Sequence, residues 1–149
     1  MTTYKGLQSS RAKISAQPYG NRWGDSNKVS LTAALATTDV VVLMDIPAGV
    51  RLETFRYYSG DLDTGTTLVT DIGYRTKLPD GTMTDLDYLL AASTSAFRSA
   101  TTTWQEIVFE PVMFNEPVEL VLIASVAPAG QSGTQSISVQ ATGGMVGFA

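Results

Sequence analysis

The chain has 149 residues, 44% of them hydrophobic and 16% charged, with 10 basic against 14 acidic side chains and a net charge of −4. This describes one globular domain long enough to bury a core. It contains neither cysteine nor histidine, which excludes a disulfide framework, Ser-His-Asp or Cys-His catalysis, and the ordinary zinc sites.

Residues 1–28 read as an extended N-terminal arm, and 29–149 as a single β domain. Gly6, Pro18, Gly20 and Gly24 break any period in the arm, and SAQPYGNRWGDSN is a loop-type cluster. Charge is unevenly placed. Lys5, Arg11, Lys13, Arg22 and Lys28 stand against Asp25 in residues 1–30, a net +4, whereas residues 31–149 carry −8. A basic arm on an acidic body favours contact between neighbouring copies. Tyr4, Tyr19 and Trp23 add the aromatic side chains that anchor interfaces, so Tyr4, Lys5, Arg11, Lys13, Tyr19, Arg22 and Trp23 form the candidate interface set. The competing expectation for Trp23 is burial in its own core. The acidic body disfavours nucleic acid. No apolar run is long enough to cross a membrane, and MTTYKGLQSSRAK has no apolar stretch of signal-peptide length.

From Val29 the pattern is that of strands. VSLTAAL alternates, DVVVLMDI is a continuous apolar run ended by Pro47-Ala48-Gly49, and VRLETFRYYS alternates again. TTLVTDIGY, WQEIVFEPVMF (open to a break at Pro111), VELVLIASV and TQSISVQATGG complete about eight strands. TDLDYLLAAS instead predicts a short helix. Thr84 or Asp85 can cap it, acidic residues crowd its first turn, and Leu86, Leu89 and Leu90 share a face. The expected fold is all-β, a single sandwich or jelly roll.

The segment SGDLDTGTTLVTDIGYR raises the question of a site. Asp61-x-Asp63-x-Gly65 is the candidate cation loop, but the third oxygen ligand, the glycine spacing and the closing Glu of an EF-hand are missing. Asp, Thr and Gly are also what turns select, and a hairpin turn is the stronger expectation. Glycosidase chemistry needs two carboxylates across a cleft. Asp85 and Asp87 at the expected helix start, and Glu106, Glu110, Glu116 and Glu119 around a strand pair, offer no aromatic-rich setting for a sugar. Gly143-Gly144 lacks the Lys-Ser/Thr of a phosphate loop. The expectation is a protein that is not an enzyme and uses no cofactor.

The order IPAG (46–49), SGDLDTGTTLVTDIGY (59–74), DLDYLLAAS (85–93), FEPVMFNEPVELVLIASVAPA (109–129) and a final ISVQA strand resembles the head decoration, or cement, proteins of tailed bacteriophages and related small virion proteins. The resemblance spans about residues 40–142. It implies a jelly-roll-like β-sandwich that assembles as a trimer on the outside of an icosahedral capsid and locks capsomers of the major capsid protein. Such a protein is made in the host cytoplasm and resides on the virion surface, with its arm reaching a neighbour. Two alternatives stay open: another phage structural role in the tail or head–tail region, and a carbohydrate-binding sandwich using Tyr57, Tyr58, Tyr74 and Trp104.

Overall fold

The computed structural model describes residues 1–6 and 22–146. Ten strands and no helix occur among them. One sheet holds β1 (Thr3–Lys5), β3 (Val40–Ile46), β9 (Val118–Val126), β5 (Val69–Thr76) and β6 (Asp85–Ser93), in the order β1-β3-β9-β5-β6. The other holds β2 (Arg22–Leu31), β10 (Gln135–Met145), β4 (Val50–Ser59) and β7 (Gln105–Ile107), in the order β2-β10-β4-β7, with β8 (Val112–Met113) also on β4. All pairs are antiparallel except β1 with β3.

Alternation builds the sandwich. In β4, Val50, Leu52, Phe55 and Tyr57 point into the core while Arg51, Thr54, Arg56 and Tyr58 face out. The register shifts between Thr142 and Gly143 of β10, so Glu53 is the extra residue opposite them. A Cβ on Gly143 would lie 2.0 Å from the Arg51 carbonyl oxygen, so the close approach at this bulge requires glycine. The continuous apolar run of β3 has a similar cause. A shift between Val42 and Met44 turns Leu43 and Met44 both toward the core. Val42 and its partner Val121 are also fully buried, but outside that core cluster.

Three sequence expectations change. The helix over 84–93 is β6, paired to β5 through two register shifts. As a strand it buries Leu89 and packs Tyr88 and Leu90 partly against the core, leaving Leu86 exposed. Strand pairing at the sheet edge outweighs the local helical period. The turn at 60–68 is not a hairpin, since β4 and β5 belong to opposite sheets. It crosses the end of the sandwich and plugs it with Leu62 and Leu68, both 0% exposed. Finally, β2 starts at Arg22, and the boundary drawn after residue 28 falls within it. The break at Pro111 is seen, as β7 ends at Ile107 and β8 begins at Val112.

Candidate functional site

The aspartate turn is built around one carboxylate. Asp63 is 2% exposed. Its Oδ1 accepts the N–H of Gly65 at 3.0 Å and of Ala129 at 2.8 Å. Its Oδ2 accepts the N–H of Thr67 at 2.8 Å and of Leu68 at 2.7 Å. Burial alone would raise its pKa, but the four donors outweigh burial and hold it below the ordinary value. Asp61 accepts the Asp63 N–H at 3.0 Å in an Asx turn. Both Asp63 oxygens thus face the positive ends of N–H dipoles, which opposes a cation. No group of three or more metal-ligating side chains forms among the described residues.

The other carboxylates are dispersed in structural roles. Glu116 accepts from the hydroxyl of Thr76 and, at 3.0 Å, from the N–H of Thr82, tying the β5–β6 hairpin down. Asp71 accepts from the Ala92 N–H and the Ser125 hydroxyl. Arg75 pairs with Glu119 at 3.1 Å and Lys77 with Asp45 at 3.2 Å. Asp85 and Asp87 lie on β6, where the hydrogen bond between them and the nearby negative charge raise the Asp87 pKa.

The candidate interface residues divide. Trp23 is in the core, 5% exposed, and Tyr4 of β1 packs against that core. Lys5 is exposed, and exposed Arg22 meets Glu53 at 3.0 Å. Arg11, Lys13 and Tyr19 lie outside the described residues.

The four aromatics proposed for sugar binding also divide. Tyr57 is buried and stacked on Phe97 with centroids 4.3 Å apart. Tyr74 is buried edge-on against Phe114 at 5.0 Å. Tyr58 and Trp104, by contrast, meet in the open at 6.0 Å, 41% and 39% exposed, on the outer face of the β2-β10-β4-β7 sheet. The Arg56 guanidinium lies 5.1 Å from the Trp104 ring centre. Its Nε donates to Gln140 Oε1 at 2.8 Å.

Beside them Ser26, Lys28, Trp104, Ser138 and Gln140 line an open depression of about 290 Å³. The ladder explains the grouping: Lys28, Ser138 and Tyr58 share one cross-strand row, and Ser26, Gln140, Arg56 and Glu106 the next. The sequence shows the outward alternation of each strand, but only the register places Lys28 and Tyr58 on either side of Ser138.

No family model matches the chain, and no curated protein matches it. Chains of three phage capsid structures are similar in fold. One from the capsid of Ralstonia phage GP4 superposes with a TM-score of 0.67 at 16% identity, over 99% of this chain and 100% of that one. One from the cyanophage Pam1 capsid asymmetric unit gives 0.65 at 18%, over 93% and 97%. One from the acid-stable capsid of Helicobacter pylori bacteriophage KHP30 gives 0.52 at 12%, over 83% and 89%. At these identities the likeness establishes the fold.

Proposed function

We propose that the chain is a non-enzymatic structural protein of a tailed-phage virion, a decoration protein that binds the outside of the icosahedral capsid and stabilises contacts between capsomers of the major capsid protein. The observation that carries this is the end-to-end likeness in fold to chains of the GP4 and Pam1 capsids, which are close to this chain in length. Strand pairing supports the jelly-roll form of the sandwich. Leaving the short β1 aside and counting β7 and β8 as one, the first of eight strands (β2) pairs with the eighth, the second with the seventh, the third with the sixth and the fourth with the fifth. A long hairpin rolled on itself has that nesting.

Assembly as a homotrimer on the virion surface completes the proposal. The arm takes part through Lys5, Arg11, Lys13, Tyr19 and Arg22, while Tyr4 and Trp23 contribute by holding its ends to the sandwich. Many weak attachments repeated over a shell give strong retention by avidity.

The test is to add the purified protein to particles lacking it and image them. Density outside the shell at capsomer boundaries, in threefold clusters, is expected. Density confined to the tail or the head–tail vertex would replace this proposal with that alternative. Arm involvement is tested by Arg11→Glu with Lys13→Glu, which should weaken attachment and leave melting unchanged. Deletion to Val29 is unsuitable, because it removes β1, Trp23 and most of β2.

A further inference from the structure

We propose that the depression beside Trp104 is a binding site for a saccharide ring bearing an anionic substituent. The inference does not rest on the capsid role. A sugar ring has an apolar C–H face and a rim of hydroxyls, so its site needs an aromatic wall together with short polar groups at hydrogen-bonding height. Trp104 supplies the wall. Although 39% exposed, it is held in place by Arg56 and Tyr58. That leaves it preorganised for a ring entering from the β2 side.

The floor is shallow and sets hydroxyl and amide groups among apolar surface. The hydroxyls of Ser26 and Ser138 make no side-chain hydrogen bond among the described residues, and they stand on neighbouring strands in successive rows. Gln140 is oriented by Arg56, which donates to its Oε1. Its amide N–H₂ is therefore left to donate to a ligand hydroxyl. Lys28 closes the far side and has no ion-pair partner among the described residues. Its charge favours a carboxylate or phosphate on the ring over a neutral sugar. A protein hot spot is a well-packed cluster of several anchors that becomes fully desolvated. Here the feature is concave, about 290 Å³, and walled by a single indole.

The chain has two tryptophans, one buried and one exposed, so the Trp104 indole N–H can be followed by proton–nitrogen NMR and assigned with Trp104→Phe. Glucuronic acid, glucose 6-phosphate, glucose and inorganic phosphate are titrated into the full chain to about 50 mM, the range of weak single-sugar affinities. The two charged sugars should shift the Trp104 signal, the stronger one identifying carboxylate or phosphate, while glucose shifts it at least threefold more weakly. Lys28→Gln should remove that preference. Ser26→Tyr, at an exposed strand position, should fill the depression and abolish the shift with melting unchanged. Three results overturn the inference: no Trp104 shift with any sugar, an equal shift with phosphate alone, or a shift that survives Ser26→Tyr. Loss of particle attachment in Trp104→Ala with silent sugar titrations would make this surface a protein anchor instead.

Discussion

Asp63 and Ala129, 66 residues apart in the chain, are joined by a hydrogen bond of 2.8 Å from the Ala129 N–H to Asp63 Oδ1. The same carboxylate holds three N–H groups of its own turn, and the Thr64 N–H returns to the Gly130 carbonyl at 2.9 Å. The crossover from β4 to β5 and the loop from β9 to β10 are thereby fixed to each other. Asp63→Ala should cost about 2–4 kcal/mol in chemical denaturation, because it leaves several buried N–H groups without acceptors. Asp63→Asn keeps one acceptor oxygen but points an amide N–H₂ at donors, and should recover less than half of that loss.

Calcium should leave the melting temperature unchanged. Both Asp63 oxygens already accept two N–H groups each, and a cation would have to displace them. A rise in melting temperature with millimolar calcium, abolished by Asp61→Asn, would contradict this arrangement.

Stability should fall on the acid side. Asp39 is held below its ordinary pKa by the Ala36 N–H, against burial and with help from Thr2. Asp63 is lowered by its four donors against burial. Glu116 is lowered by the Thr76 hydroxyl and the Thr82 N–H. A carboxyl whose folded pKa is depressed contributes its stability fully above the unfolded value and loses it as pH falls through the folded value. The unfolded values are 3.8 for Asp and 4.5 for Glu. Denaturation midpoints should therefore be flat in the neutral range and fall progressively below about pH 4.5. The acid slope should be shallower in Asp63→Asn, which lacks one of the three groups.

The β5–β6 edge depends on close approach at one position. A Cβ on Gly73 would sit 2.0 Å from the Asp85 carbonyl oxygen and 2.3 Å from the Leu86 carbonyl carbon, both backbone. Gly73→Val cannot be relieved by rotating a side chain, so it should detach β6 from β5. Amide exchange over residues 85–93 should rise well above that of β9, whose pairing with β3 is untouched.

This edge is also where the sequence was least legible. Alternation and apolar runs revealed β3, β4, β5, β9 and β10, because each is half-buried or fully buried in register with its neighbours. In β6 the spacing of Leu86, Leu89 and Leu90 imitates a helix, and Thr84 imitates its cap. Thr84 in fact accepts the Thr76 N–H through its hydroxyl at 3.2 Å. The aspartate turn was recognisable as a turn, yet its crossing between sheets depends on strand order, which local sequence does not encode. For the surface site, Trp104 and Tyr58 were visible as candidates. Lys28, Ser26, Ser138 and Gln140 were not, since serine and glutamine on a strand face carry no signal until the register sets them beside an indole.

The final prediction concerns Phe97, which is 1% exposed, stacks on Tyr57 at 4.3 Å and has φ = 65°. The loop from β6 to β7 thus places an aromatic ring in the core from a left-handed backbone that side chains disfavour. Burial of the ring offsets that backbone cost. Phe97→Ala should destabilise by about 3–5 kcal/mol, through lost burial and the cavity beside Tyr57. Phe97→Gly removes one more carbon, yet it releases the backbone penalty of about 1 kcal/mol that Ala retains. The glycine variant should therefore match or exceed the alanine variant in stability, the reverse of the order at an ordinary core position. Urea denaturation of the two variants side by side decides it, and a glycine variant clearly less stable than the alanine variant would show that the left-handed conformation is not a source of strain.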